Sequence, residues 1–108
     1  MFYHDHHVHS YNTLTSYVNG HIHCMSGITG QPVPYGNSHV HNYEGVTTYD
    51  HGHVHYYRGC TGPSIPCPQG GHIHYLQGCT TFDNGHSHGY GAPTGLEMGS
   101  RLFRNHAV

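Results

Sequence analysis

The sequence predicts an all-β protein, a tandem repeat of β-hairpins that resembles a β-solenoid, with a closed pseudo-threefold β-structure as the alternative. Three observations support this prediction. Pairs of histidines in the pattern His-X-His recur along the chain, turn sequences containing Gly and Asn separate them, and no apolar stripe of helical period is present. The repeat has three copies of about 32 residues, and each copy contains two pairs.

The repeating unit is a half-copy with the pattern His-X-His-X3-Gly-φ-Thr, in which φ is an apolar residue or Cys. Thr13 and Ala92 replace the Gly in two half-copies. The Thr keeps its position in every half-copy, which a merely His-rich composition would not produce. The paired histidines, which are the candidate site residues, are His7, His9, His21, His23, His39, His41, His53, His55, His72, His74, His86 and His88.

Each copy is expected to turn back on itself between its two pairs. Asn19-Gly20 and Asn84-Gly85 are typical of two-residue hairpin turns, and His51-Gly52 is a weaker variant. Pro-rich loops at 30–38 and 62–71 connect the copies. We expect a repeat domain over residues 1–95 and a tail over 96–108 that docks on a neighbouring molecule.

The histidine pairs predict metal binding. Two histidines at positions i and i+2 of a strand project from the same face, so one ion can bind both rings. Neutral imidazole is a ligand for Zn, Cu and Ni, and four nitrogens complete a structural zinc site. We expect the two pairs of each copy to share an ion, with zinc favoured over copper or nickel, which gives about three sites. His6 and His51 are possible auxiliary ligands, whereas His4 and His106 lie outside the pattern.

Two other functions are compatible with the histidine pattern. One is a metal-free structural fibre or spore-coat protein, in which His and Tyr side chains form stacked ladders. The other is a metal-dependent hydrolase, since three His ligands can leave one position open on a zinc ion. Near-identical copies argue against a single active site, and the few acidic residues show no fixed place in the repeat. We therefore expect a protein that is not an enzyme.

The aromatic residues beside the turns are expected on the face opposite the histidines. Because side chains alternate along a strand, His21 and His23 share one face, and Tyr17 and Ile22 share the other. Tyr49 and Phe82 occupy the position of Tyr17 in the later copies. This alternation predicts a thin β-layer with one imidazole face and one apolar face.

The four cysteines leave several pairings open. Cys60 and Cys79 share the φ position and would be neighbours if half-copies stack in register, whereas Cys60 and Cys67 could close a loop. The alternative is that the cysteines are free and fill buried apolar positions. Cys24 and Cys67 lie off the φ position and could form crosslinks between molecules.

Composition narrows the range of partners. The chain has 108 residues, 3 Lys+Arg, 5 Asp+Glu and 16 His, so it has no basic stripe for nucleic acid. No apolar run reaches the length of a membrane span. Because hydrophobic residues are only 34% of the chain, we expect support from metal, disulfides or self-association, and we predict a homo-oligomer or filament. No classical signal peptide is visible, although assembly and the cysteines favour a cell-surface, spore-surface or extracellular location.

Two segments, GHVHYYRGCTG and GHIHYLQGCTT, resemble the YmaF family of short, His-rich, repetitive proteins from spore-forming bacteria and their relatives. The resemblance covers about residues 7–95. It implies a repeat protein and carries over no catalytic residue.

Overall fold

The computed structural model describes residues 6–99 of the chain, and in these residues it is all-β with no helix. The strands form four small antiparallel sheets, and no sheet of this described part closes on itself. The all-β prediction is therefore confirmed. The strands are β1 (His7–Leu14), β2 (Cys24–Ile28), β3 (Pro32–Tyr35), β4 (Ser38–Val46), β5 (Tyr56–Cys60), β6 (Ile65–Pro66), β7 (His72–Ile73), β8 (Tyr75–Cys79), β9 (Gly89–Pro93) and β10 (Glu97–Gly99).

Each copy forms one hairpin, as the turn sequences predicted. The hairpins pair β1 with β2, β4 with β5, and β8 with β9. Asn19 and Gly20 have φ of 52° and 80°, and the other two turns repeat these values closely. Two successive residues with positive φ are typical of the type I′ turn, whose twist matches that of paired strands. The turns close with the bridges Val18↔His21, Asp50↔His53 and Asp83↔His86.

Short strands from the connecting segments add to the first strand of a copy. β3 pairs with β4, and β6 pairs with β7. β10 pairs with β1 in the same way, with His7 opposite Gly99 and His9 opposite Glu97. The beginning of the expected tail thus lies against the first hairpin of its own chain. Residues 100–108, and with them His106, lie outside the described residues, as does His4.

The apolar core is one small cluster that draws one residue from each half-copy. Each core residue follows the second His of a pair by two positions, so alternation along the strand places it on the same face as the histidines. The hydroxyl oxygens of Tyr11 and Tyr57 lie 2.9 Å apart, and those of Tyr43 and Tyr90 also lie 2.9 Å apart. The cluster comprises Tyr11, Met25, Tyr43, Tyr57, Leu76 and Tyr90.

The glycine of the repeat makes room for these tyrosines. A Cβ placed on Gly59 would lie 2.6 Å from the hydroxyl oxygen of Tyr43, and Gly27 stands in the same relation to Tyr11. Where the core residue is a shorter side chain, the opposing position is not Gly. Met25 faces Thr13 across the hairpin, and Leu76 faces Ala92. The two exceptions in the repeat therefore follow from side-chain size.

The face opposite the histidines is a solvent surface and not the core. Tyr17, Tyr49 and Phe82 do point away from the imidazoles, but they are 72%, 73% and 73% exposed. The φ position is exposed as well, for example at Leu14 and Ile28. The predicted apolar face therefore lies at the surface, and the histidines and tyrosines of the other face fill the interior.

All four cysteines are free thiols. Of the alternatives that the sequence left open, the structure has the free cysteines and neither Cys60–Cys79 nor Cys60–Cys67. The prediction that free cysteines would be buried is wrong, since Cys24, Cys60 and Cys79 are exposed and Cys67 is partly exposed. In residues 6–99 no helix has the length and apolar character needed to cross a membrane.

We predict that Gly59→Ala destabilises the protein by about 1–3 kcal/mol, because the new methyl group and the Tyr43 hydroxyl cannot occupy the same space. Gly89→Ala is the matched control, since a Cβ there meets only a carbonyl oxygen at 3.9 Å. Denaturant unfolding followed by circular dichroism measures both variants. Equal stabilities for the two would show that Tyr43 is not confined by Gly59.

Candidate metal centres

The first histidine pairs of the three copies meet in one group, which we call the loop-side cluster. The ring centroids of His9, His41 and His74 lie 4.5–4.7 Å from one another. One ligand nitrogen from each ring of the cluster lies within 4.8 Å of all the others. The loop-side cluster comprises His7, His9, His39, His41, His72 and His74.

The second pairs meet in another group, the turn-side cluster. Ligand nitrogens of His21, His23, His53, His55 and His86 lie within 4.8 Å of one another. His88 is not in that group of five but adjoins it, because its Nε2 lies 3.3 Å from that of His21 and its ring centroid lies 4.9 Å from those of His23 and His55. The turn-side cluster therefore comprises His21, His23, His53, His55, His86 and His88.

The prediction that the two pairs of one copy share an ion is wrong. Antiparallel pairing places the two pairs of a hairpin at opposite ends. Thr15 N–H donates to the carbonyl of His23, and Thr29 N–H donates to that of His9. His23 is therefore level with Thr15, six residues along the strand from His9, which corresponds to about 20 Å. The structure groups equivalent pairs of different copies, which gives two clusters and not three.

Backbone carbonyls hold the three innermost rings of the loop-side cluster. Nδ1 of His9 donates to the Gly95 carbonyl at 2.9 Å, Nδ1 of His41 to that of Gly30 at 2.9 Å, and Nδ1 of His74 to that of Gly62 at 2.8 Å. A carbonyl oxygen can only accept, so each Nδ1 must carry the proton. In the neutral ring, Nε2 then carries no hydrogen, and its lone pair points into the cluster.

The turn-side cluster has the same arrangement in all of its rings. Nδ1 of His23 donates to the Thr48 carbonyl at 2.9 Å, that of His55 to Thr81 at 3.0 Å, and that of His88 to Ser16 at 2.8 Å. The outer rings bond to carbonyls in their own turns, at distances of 3.1–3.3 Å. Those three bonds join His21 to Asn19, His53 to His51, and His86 to Asn84.

The unprotonated nitrogens therefore face one another. Nε2 of His86 lies 3.1 Å from that of His21 and 3.2 Å from that of His55. Neither atom of either pair carries a hydrogen when the rings are neutral, so these contacts place lone pair against lone pair. Nε2 of His23 and of His41 are buried without a hydrogen-bond partner. A cation between these nitrogens would satisfy them, so both clusters could hold a metal ion.

The recurring threonine fixes the backbone of the second His in each pair. The Oγ1 of Thr29 accepts the N–H of His9 at 3.1 Å, and the Oγ1 of Thr15 accepts that of His23 at 3.1 Å. Every half-copy repeats this bond across its hairpin. The sequence showed that the Thr recurs, and the structure shows that it positions a ligand.

The predicted auxiliary histidines lie outside both clusters. The ring of His51 stacks on that of His21, with centroids 4.6 Å apart and planes 22° apart, and His51 is exposed. His6 is also exposed. Sequence reasoning missed Asp50 and Asp83, which lie three residues before the second pairs of their copies. Each has an oxygen 3.3 Å from a ring Nδ1, of His23 and His55 respectively.

Burial favours the neutral form of His9, His41, His55 and His88. It lowers the pKa of His9 from 6.5 to about 4 and that of His41 to about 3, and the neighbouring histidines add to the effect. The bond to a backbone carbonyl opposes the shift but does not cancel it. The pKa of His55 and that of His88 are lowered for the same reason. Neutral imidazole is the form that binds metal.

Three hairpins that bring His-X-His pairs into two imidazole clusters define a small, all-β, histidine-rich protein. The chain belongs to the YmaF family, whose model, described as spore germination protein GerY/YamF, matches residues 4–96. The resemblance seen in the repeat motifs is thereby confirmed. No curated protein and no solved structure matches the chain.

We predict that the protein loses stability as the pH falls below 6.5. Rings with a depressed pKa bind protons only after unfolding, so stability is complete above the unfolded value of 6.5 and is lost as the pH falls through about 4. Circular dichroism should show the β-signal falling between about pH 6 and 4.

A chelator provides the control for this titration. Because a bound ion stabilises the neutral rings, metal-loaded protein should resist acid to a lower pH than EDTA-treated protein. Coincident curves after verified metal removal would show that no ion stabilises the fold.

Proposed function

We propose that this protein binds transition-metal ions, one in the loop-side cluster and one in the turn-side cluster. The observation that carries the proposal is the approach of unprotonated Nε2 atoms to 3.1–3.3 Å in the turn-side cluster. Backbone carbonyls already occupy the Nδ1 protons, so a metal-free neutral cluster has no hydrogen to place between these lone pairs. The metal-free ladder of rings is less favourable for that reason.

The ligand geometry favours a six-coordinate ion. For ligands at right angles, an ion between nitrogens 3.2 Å apart lies about 2.3 Å from each, and opposite nitrogens are about 4.5 Å apart. The limit of 4.8 Å among the loop-side nitrogens agrees with this arrangement. Structural zinc is almost always tetrahedral. The zinc preference rested on a site of four histidines, whereas six imidazoles suit Ni(II), Co(II) or Fe(II).

A site with six protein ligands has a structural role more readily than a catalytic one. Lewis-acid chemistry needs an open coordination position for water or substrate, and six imidazoles leave none. We therefore propose that the ions hold the fold together and that the protein is not a hydrolase. Because the family model is described as a spore germination protein, we propose that the protein acts in the spore during germination.

We also propose that the three copies close into a pseudo-threefold ring, which is preferred here to an open solenoid. Supporting contacts run cyclically between copies. Thr48 N–H donates to the Cys24 carbonyl, Thr81 N–H to that of Tyr56, and Ser16 N–H to that of Gly89. The pairing of β10 with β1 repeats that of β3 with β4.

The stoichiometry of the metal tests the proposed function. We expect two ions per chain by elemental analysis after loading with Ni(II), and six nitrogen ligands by X-ray absorption. His41→Ala should lose one ion and His55→Ala the other, whereas the double variant should lose both. His51→Ala is the control, since that exposed ring lies outside both clusters, and it should keep two ions.

Three results would contradict the proposal in different ways. Protein that binds no metal would favour the structural role without an ion. Binding of three ions, one of which is lost when the histidines of one copy are replaced, would show that the two pairs of a copy share an ion. Four nitrogen ligands in a tetrahedral arrangement would return the preference to zinc.

We also propose that the protein self-associates through exposed aromatic side chains. Tyr17, Tyr49 and Phe82 present three strongly exposed aromatic side chains at equivalent positions of the copies. Sedimentation velocity should show a multimer at micromolar concentration, and replacing all three residues by Ser should give a monomer. Tyr35→Ser, a change at another exposed Tyr, should leave the multimer intact. A monomeric wild type would exclude assembly and leave metal binding untouched.

A further inference from the structure

The two clusters differ in the carboxylates that contact their inner rings. In the turn-side cluster, Oδ2 of Asp50 lies 3.3 Å from Nδ1 of His23, and Oδ2 of Asp83 lies 3.3 Å from Nδ1 of His55. Both contacts reach the innermost rings, which are fully buried. In the loop-side cluster, Glu97 lies 3.5 Å from Nδ1 of the outer ring of His72, and no carboxylate of the described residues contacts the inner rings of His9, His41 and His74.

A hydroxyl holds each turn-side carboxylate in position. The Thr48 hydroxyl donates to Oδ2 of Asp50, and the Thr81 hydroxyl donates to Oδ2 of Asp83. The backbone carbonyls of the same two threonines accept the Nδ1 protons of His23 and His55. Each His is thus surrounded by a carbonyl and a carboxylate from the neighbouring hairpin.

The third turn has every part of this arrangement except the carboxylate. The Ser16 carbonyl accepts from Nδ1 of His88 at 2.8 Å, as Thr48 and Thr81 do for their rings. The Ser16 hydroxyl stands where the two Thr hydroxyls stand and accepts the N–H of Gly89. Val18 occupies the position of Asp50 and Asp83, since each forms the bridge that closes its turn.

We propose that Asp50 and Asp83 make the turn-side cluster the tighter of two unequal metal sites, and that Val18 marks a carboxylate position left unfilled. This inference rests on the proposed function. A carboxylate beside the Nδ1 proton of a ligating imidazole makes Nε2 a stronger donor and fixes the orientation of the ring. Six neutral imidazoles leave the charge of a divalent ion uncompensated, so two carboxylates also stabilise the loaded site electrostatically.

The expected loss of metal affinity depends on how far the two aspartates are exposed to solvent. Loss of such an outer partner typically lowers metal affinity by about 10–100-fold. The side chains of Asp50 and Asp83 are 40% and 38% exposed, so water screens their charge and the lower end of the range applies to each.

Competition between the full-length protein and a chromogenic chelator for Ni(II) tests the inference. The chelator should remove Ni(II) from the wild type in two phases, a weak one and a tight one. His55→Ala should abolish the tight phase, and His41→Ala should abolish the weak phase. Asp50→Asn with Asp83→Asn should weaken the tight phase about 10–100-fold and leave the weak phase unchanged. Glu44→Gln, which removes an exposed carboxylate opposite Arg58, should change neither phase.

Val18→Asp should raise the affinity of the turn-side cluster for Ni(II). The new carboxylate should reach the Ser16 hydroxyl and Nδ1 of His88 and tighten the turn-side phase by about tenfold. Val18→Asn is the matched variant without charge and should give no gain. Far-ultraviolet circular dichroism checks that each variant retains the wild-type fold.

The outcomes separate this inference from the proposed function. Two phases that respond neither to loss of the aspartates nor to Val18→Asp would overturn the inequality and leave metal binding standing. A tight phase that disappears with His41→Ala would assign the stronger site to the loop side and would also overturn it. Absence of bound Ni(II) at both sites would overturn the proposed function itself.

Discussion

The fold depends on the hydrogen bonds from imidazole Nδ1 to backbone carbonyls. Three of these bonds hold the inner loop-side rings and three hold the inner turn-side rings. Each bond fixes the tautomer, and in the turn-side cluster it also joins neighbouring hairpins, for example His23 of the first to Thr48 of the second. Local backbone geometry, contacts between copies and ligand chemistry are therefore set by one repeated interaction.

This interaction explains how a chain with few aliphatic residues has an interior. Six residues form the apolar cluster, and four of them are tyrosines whose hydroxyls pair within it. The inner histidines on both sides of that cluster are fully buried. Since buried rings are costly to protonate, the interior is stable only while they remain neutral. A bound ion would add free energy that so small an apolar cluster does not supply.

The sequence predicted the local structure well and the grouping of residues poorly. Asn19-Gly20 and its counterparts determine the hairpins, and alternation correctly placed both histidines of a pair on one face. The grouping depends on which strands pair and in which direction, and proximity along the chain suggested the wrong partners. The register Tyr11↔Gly27 puts His9 and His23 at opposite ends of one hairpin. The acidic partners were missed because only Asp50 and Asp83 recur and Val18 interrupts the pattern.

The bond from His9 to the Gly95 carbonyl has a consequence for folding. It joins residues 86 positions apart, and the loop-side cluster takes two rings from every copy. On the ribosome, the first two hairpins can form early, but neither histidine cluster is complete until the third hairpin has emerged. Contacts between residues so distant in sequence are slow to form, because the intervening chain must first lose conformational entropy. The nascent chain should thus pass through a long period in which paired histidines are exposed and open to any metal ion in its surroundings.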